Sequence, residues 1–354
     1  MPIKYLGSKR KLIDPIMAVV RASGASSALD AFTGTTRVAQ AMKAEGIEVT
    51  ASDVATYSKV FADCYVATDA RAIDMGEVSD AIARLMALPG KRGYFTETFC
   101  EESRFVQPRN GMRVDAMRDA IEDWYAGSPL YPILLTSLVE ATDRVDSTTG
   151  IQMAYLKKWS ARSGNDIELR VPALLDGEGH ALLGDVFDVV SSVDRQDLIY
   201  LDPPYNQHRY YTNYHVWETL VRWDEPEHYG VACKRVDAQD DSTKSVFNRK
   251  REAPAALARL FAECRPKCDT LVVSYNDESW MDESAMSDAL SAAGFGDVCA
   301  LSFDYDRYVG ARIGIYDPSG NRVGKVDHVR NHEYLYVAGD AGTVDGIRRA
   351  GAPA

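Results

Sequence analysis

The apolar run Leu198-Ile-Tyr-Leu201 leads straight into Asp202-Pro203-Pro204-Tyr205, and this junction constrains the chain more than any other stretch. Four consecutive apolar residues read as a buried strand, and two prolines, which lack the N–H that a ladder needs, end it. An acid and an aromatic ring are thereby presented on a stiff turn at a strand's carboxyl end, the edge where open α/β sheets bind ligands. A carboxylate, a proline-fixed carbonyl and an aromatic face together suit a flat base carrying an exocyclic amine. The bland alternative is a strand-to-loop turn with a satisfied aspartate.

The same grammar occurs near the amino terminus. After a Gly-Ser turn set among Lys4, Lys9, Arg10 and Lys11 and a helix of about ten residues, Ala28–Phe32 reads as a short buried strand. Thr33-Gly34-Thr35-Thr36 follows as a tight turn, Arg37–Glu45 as a helix, and Glu48–Ser52 as a second strand that ends at Asp53. In a nucleotide-binding βαβ unit such a turn admits a ligand to the backbone, and the acid hydrogen-bonds ribose hydroxyls. One glycine is not a full GxGxxG, and Asp53 serves equally well as the cap of a helix over Val54–Ala67.

From about residue 70 to 175 the pattern becomes mostly helical, with amphipathic stretches at Met75–Leu88 and Val114–Tyr125 and a mostly apolar Leu130–Val145. Its tail, Gln152–Arg170, interleaves Lys157, Lys158, Arg162 and Arg170 with Tyr155 and Trp159. That mixture suits phosphate contacts beside base stacking, and a surface helix with snorkelling lysines explains it as well. Sheet grammar then returns. His180–Val190 reads as strand, Gly184-Asp185, helix; after the central strand come helices at Asn213–Val221, Ala253–Lys267 and Ser279–Gly294, and strands at Thr270–Tyr275, Val298–Phe303 and His332–Val337.

This order predicts one wound α/β sheet over residues 1–70 and 176–340, interrupted by a helical insertion at 71–175. The Gly- and Ala-rich end from Ala338 is expected to fray, with 341–354 as a flexible tail.

A formal net charge of −12 excludes a protein coated in positive charge, so nucleic-acid contact must come from local patches. One is the amino-terminal cluster; another is Lys234 and Arg235 followed by Lys244, Arg249, Lys250 and Arg251. A solvated face is the alternative for each. No run of about 18 apolar residues occurs and the amino terminus lacks an apolar signal region, so a soluble, cytoplasmic protein without membrane association is expected. Six cysteines without a CxxC pair, and scattered histidines, predict buried thiols and no metal.

Lys4-Tyr5-Leu6-Gly7-Ser8-Lys9, then Asp30-Ala-Phe32-Thr-Gly34 with Asp53, then Asp202-Pro-Pro-Tyr205, in that order, resemble the Dam-like class of AdoMet-dependent DNA adenine-N6 methyltransferases. Asn213–Thr219 and the basic segment after it are similar to restriction-modification members. The resemblance covers about two-thirds of the chain. It implies a Rossmann-like methyltransferase sheet, S-adenosyl-L-methionine as cofactor, double-stranded DNA as partner and the insertion as target-recognition region.

Carried over by position, it implies that Tyr5 and Lys9 border the cofactor, that Asp30, Phe32 and Gly34 shape the methionine pocket, and that Asp53 takes the ribose hydroxyls. Asp185 is a candidate adenine contact. Asp202, Pro203, Pro204 and Tyr205 form the catalytic pocket, with Asp202 also beside the cofactor. One position departs from the pattern: Thr36 stands where the family turn has its last glycine.

Rival readings are an RNA or cytosine-N4 acceptor, a catalytically silent DNA-binding module of the same fold, and a small-molecule enzyme using another nucleotide. A protein-glutamine methyltransferase would usually carry Asn in place of Asp202. A monomer is expected, and a chain too short for a nuclease domain of its own, so that any cognate restriction endonuclease is a separate partner.

Overall fold

The computed structural model describes residues 3–277, 279–306, 315–316, 322–324 and 330–350. The chain forms two compact units and crosses between them: Met1–Ile13, Ser26–Val189 and His208–Ser245 make the first, and Asp14–Ala25, Val190–Gln207 and Val246–Ala354 the second. The first helix, α1 (Ile13–Ser23), falls almost wholly in the second.

In the first unit, β1 (Ser27–Asp30), α2 (Arg37–Ala44), β2 (Glu48–Asp53) and α3 (Thr56–Ala62) follow in succession. β1 pairs parallel with β2, Asp30 opposite Ala51, and β2 pairs parallel with β3 (Gly179–Leu183), Asp53 opposite Leu183. Between β2 and β3 lie α4 (Met75–Met86), the short α5 (Tyr94–Thr96), α6 (Pro108–Tyr125) and α7 (Leu130–Arg144), and β3 is followed by α8 (Val186–Ser192). Pro108 occupies the first turn of α6, where its missing N–H costs nothing. α7 is apolar nearly all round because it is buried nearly all round, with Ile133, Leu134, Leu135, Leu138 and Val139 fully inaccessible. The unit closes with the one-turn α9 (Tyr210–Asn213), α10 (His215–Arg222) and a hairpin of β5 (His228–Tyr229) with β6 (Lys234–Arg235).

The helical insertion does not build a core of its own. Tyr57 and Phe61 of α3, Phe99 and Phe105, Leu134 and Leu138 of α7, and Trp217 and Leu220 of α10 share one apolar cluster, so side chains of the segment 71–175 pack together with those of α3 and α10. Burying the six phenylalanines and leucines among these eight at about 1.5–3 kcal/mol each supplies a large part of this unit's stability. Residues 152–160, in the basic and aromatic tail, form no helix, and only a 3-10 turn at Ala161–Gly164 follows.

In the second unit β4 (Gln196–Leu201) pairs parallel with β7 (Cys268–Asn276), Leu201 opposite Val273. β11 (Arg330–Gly339) runs antiparallel both to β7 and to β8 (Asp297–Asp306). α11 (Ala253–Cys264) and α12 (Glu283–Ala292) alternate with these strands, and β9 (Ile315–Tyr316) with β10 (Arg322–Gly324) makes a small ribbon. The three parallel strands of one unit and the four larger strands of the other, with their helices, give the mixed, mostly parallel α/β class expected of a Rossmann-like methyltransferase.

The end expected to fray carries regular structure over much of its length. Ala338 is a buried β11 residue, and Ala341–Ala350 forms a helix, α13, whose Val344 and Ile347 are fully buried. Two apolar residues three apart on a helix make one buried face, which the surrounding Gly and Ala conceal in the sequence. Residues 351–354 of that tail lie outside the described residues.

Candidate active site

The turn after β1 is tied down from both of its strands. Asp30, 1% exposed, accepts the Thr33 hydroxyl at 2.9 Å and the Ala39 N–H of α2 at 3.2 Å. Asp53, at the end of β2, accepts the Gly34 N–H at 2.9 Å on one carboxylate oxygen and the Ala55 N–H at 3.0 Å on the other. Burial pushes the Asp53 carboxyl up, and the Ala55, Gly34 and Val54 N–H groups oppose that shift. Phe32 is half-buried in the same turn.

Gly34 has φ +50°, and a Cβ there would sit 3.1 Å from Cε1 of Tyr5. The amino-terminal segment therefore lies on the β1 turn, and glycine is required by both backbone and space. Thr36, fully buried, has φ 61° and ψ 15°. It adopts the left-handed backbone that glycine takes most easily, held by its hydroxyl, which donates to the Thr35 carbonyl and accepts from Gln40 Nε2, both at 2.7 Å.

Tyr5 sits within a cluster of rings. It stacks on Tyr214 (centroids 4.6 Å apart, planes at 18°) and on Tyr210 (5.4 Å, 26°), and its hydroxyl lies 3.3 Å from that of Tyr57. Burial holds the Tyr5 phenol well above its ordinary pKa, with Tyr57 and Asp53 adding to the effect. The Tyr214 hydroxyl accepts the Leu6 N–H at 2.5 Å, and Gly7, at φ +76°, leaves room for the Tyr210 hydroxyl 2.8 Å from where a Cβ would stand. Lys9 is buried in the 3-10 turn that follows.

Two long-range anchors fix this region, and neither was visible in the sequence. The buried Glu218 carboxylate of α10 accepts the Thr56 and Tyr57 N–H groups at 3.0 and 3.4 Å, capping α3 in place of a side chain from its own amino end. Lys4 Nζ reaches Asp143 Oδ2 at the end of α7 at 2.7 Å and Asp146 Oδ1 at 3.4 Å. Burial raises the Asp143 carboxyl to about 6 against the pull of the Lys4 ammonium. Asp185, two residues beyond β3, is exposed and accepts the Phe187 N–H at 3.0 Å, turning the chain into α8.

In the second unit, Asp202-Pro203-Pro204-Tyr205 leaves the carboxyl end of β4 outside any helix or strand. Pro203 is buried and its three neighbours are partly exposed. The Tyr205 ring stands edge-on to Tyr275 of β7, with centroids 6.0 Å apart and planes at 80°, the geometry that aromatic quadrupoles favour. Asn248 Nδ2 donates to the Asn206 carbonyl at 2.6 Å, bracing the loop after the motif.

Of the basic residues expected at phosphates, two are committed elsewhere. Arg235, 1% exposed, makes paired contacts with Asp224 (2.7 and 2.8 Å) and reaches Asp237 at 2.7 Å. Arg162 is held by Asp146, Nη2 to Oδ1 at 2.5 Å, and by the Thr148 carbonyl at 2.6 Å. Both are structural ion pairs. Lys157, Lys158, Arg249, Lys250 and Arg251 are exposed, and Lys234 and Lys244 partly so. Lys244 pairs with Asp241, Arg249 with Glu252, and Lys250 lies 5.8 Å from the centroid of Trp280. The stretch 234–251 is divided between the two units.

A family model for D12 class N6 adenine-specific DNA methyltransferases matches residues 5–288, from Tyr5 through the Asp202–Tyr205 motif and beyond. The chain belongs to this family. Among its relatives, the type II methyltransferase M.NlaIII of Neisseria lactamica is 26% identical over 351 residues, which cover 95% of this chain and 98% of that one. The modification methylase StsI of Streptococcus sanguinis is 28% identical over 306 residues, 81% of this chain but 46% of that protein. M.FokI of Planomicrobium okeanokoites is 25% identical over 82% of this chain and 47% of its own length. The chain thus spans about half the length of two of these methylases and nearly all of the third. In this family member, the segments that carry the resemblance include the Tyr5–Gly34–Asp53 cluster of one unit and the β4 motif of the other. Among the described residues no helix is long and apolar enough to cross a membrane.

Proposed function

We propose that this chain methylates the exocyclic N6 of adenine in double-stranded DNA, using S-adenosyl-L-methionine, as the modification activity of a restriction-modification system in the cytoplasm. The observation that carries the reading is the Asp202-Pro-Pro-Tyr205 turn at the carboxyl end of β4, in a chain whose family acts on that atom.

The residues of the first unit fit the cofactor. Each oxygen of Asp53 accepts one backbone N–H, which leaves a lone pair on each for a ribose hydroxyl. Gly34, with no Cβ, lets the turn and the Tyr5 ring come close together, which brings an aromatic face to the end of β1 where the family resemblance puts the cofactor. Lys9, Asp30 and Phe32 belong to the same segments, and Asp185 follows the strand beside β2. When bound, S-adenosyl-L-methionine supplies a methyl group activated by a sulfonium.

The chain's own residues must make adenine's amine a nucleophile, because its lone pair is delocalised into the ring. The Asp202 carboxylate and the Pro203 carbonyl accept the two N–H bonds, which draws the nitrogen toward tetrahedral geometry and frees the lone pair. Pro204 stiffens the turn that holds these acceptors. Asp202 or water takes the surplus proton. In duplex DNA the amine is paired, so the base is extruded at a cost of a few kcal/mol. Tyr205, braced by Tyr275, offers a stacking face that recovers about 1–3 kcal/mol.

The test uses the full chain with methyl-tritiated cofactor and unmethylated duplex DNA, digested to nucleosides. Label in N6-methyladenine supports the reading; label in N4-methylcytosine, or label only on RNA, replaces it.

A further inference from the structure

Glu102, at the end of the turn before Ser103, and His228 and Cys233, on either side of the β5–β6 turn, bring a carboxylate oxygen, an imidazole nitrogen and a sulfur within 4.8 Å of one another. Glu102 Oε2 and His228 Nε2 are already 2.9 Å apart. None of the three is among the residues assigned to methyl transfer. We propose that Glu102, His228 and Cys233 form a binding site for a zinc-type divalent cation that clasps the β5–β6 hairpin to the helical region.

The chemistry of the donors selects the ion. One oxygen, one imidazole and one sulfur suit a borderline-soft, tetrahedral ion such as zinc rather than calcium or magnesium, which take oxygen ligands. Around such an ion neighbouring ligand atoms lie roughly 3.3–3.8 Å apart. Glu102, whose side chain is 58% exposed, has room to move out from its 2.9 Å contact with His228 toward that spacing. Cys233 is 3% exposed and His228 24%, so the site is closed on the sulfur side and open to water, a fourth ligand, on the carboxylate side.

The local backbone is built around this arrangement. Cys233 has φ +47°, a left-handed conformation costly for a non-glycine residue, and its N–H closes the turn on the Gly230 carbonyl at 2.9 Å. Strands of two residues do not sustain a hairpin unaided. Here one side is held by the buried Arg235 and the other by Tyr94, whose hydroxyl donates to the Pro226 carbonyl at 2.5 Å and whose ring meets His228 edge-on at 6.4 Å. A cation completes that clasp and fixes Lys234, the partly exposed first cation of the basic stretch.

The experiment titrates the untagged, chelator-treated full chain with cobalt(II) and then zinc. The proposal expects one equivalent of cobalt to bind with a thiolate-to-cobalt absorption band, one equivalent of zinc to abolish that band, and zinc to raise the melting temperature. Cys233→Ser should lose the band, and Glu102→Gln, a surface change that leaves the fold intact, should weaken binding at least tenfold. Absence of a saturable band in the folded wild-type chain overturns the proposal. So does a Glu102→Gln variant that binds as tightly as wild type, or a folded Cys233→Ser variant that keeps the band.

Discussion

The Asp53 carboxylate accepts the Gly34 backbone N–H at 2.9 Å, so the end of β2 fixes the turn that follows β1. Tyr5 closes over the same glycine, 3.1 Å from the position of a Cβ. Gly34→Ala is therefore expected to lower S-adenosyl-L-methionine affinity at least tenfold while costing about 1–2 kcal/mol of stability, the strain of a left-handed alanine. Calorimetric titration alongside a denaturant melt checks both numbers. Unchanged affinity would remove Gly34 from the cofactor site.

Thr36 raises a narrower question, because a β-branched residue at φ 61° carries roughly 1–2 kcal/mol of strain. Thr36→Gly removes that strain together with two hydrogen bonds and should stay within about 1 kcal/mol of wild type. Thr36→Val keeps the strain and leaves the Gln40 amide without its partner, and should be about 1–3 kcal/mol less stable. Denaturant melts of both variants decide it; equal stabilities would contradict the strained-turn account.

The buried and exposed basic residues separate in their effects. Arg235→Ala removes the buried guanidinium that bridges Asp224 and Asp237, leaves the half-exposed Arg222 as their remaining partner, and should cost about 1–3 kcal/mol. Changing Lys157 and Lys158 together to Ala should leave the melt unaltered and lower the slope of log affinity for DNA against log salt by about 2. If the lysine pair changed stability but not the salt slope, these side chains would be structural.

His215 predicts a pH dependence. Its ring is fully buried, Nε2 donates to the Gln152 carbonyl at 3.0 Å, and Nδ1 has no hydrogen-bond partner among the described residues. Burial lowers its pKa from 6.5 to about 3. The unfolded chain thus binds a proton that the folded chain refuses, and the stability His215 confers is present above pH 6.5 and lost as the pH falls toward 3. His215→Leu forfeits a hydrogen bond at every pH but not this proton, so its deficit relative to wild type should shrink between pH 7 and pH 4. Melts across that range test it; a constant deficit would mean the ring protonates freely in the folded state.

The sequence made the strand–turn grammar legible at Asp30–Gly34, Asp53 and Asp202–Tyr205, because an apolar run, a glycine or proline and an acid are local signals. It did not reveal Glu218 capping α3, since that contact joins residues 161 and 162 positions apart. The tyrosine stack on Tyr5 was hidden for the same reason, although the density of tyrosines between Tyr205 and Tyr214 was a usable hint. Charge alone did not reveal the ion pairs of Arg162 and Arg235, because an arginine facing a phosphate and one facing an aspartate look identical in sequence. Glycine and alanine masked the buried Val344 and Ile347 face of α13.

The most direct measurement is single-molecule sequencing of DNA from a methylation-free host that expresses this chain, beside a host expressing Asp202→Ala at equal protein level. The account predicts N6-methyladenine in one short sequence context with the wild-type chain and none with Asp202→Ala. A mark that persists in the variant would contradict the role given to Asp202, and unmarked DNA in the presence of folded wild-type protein would contradict the proposed activity itself.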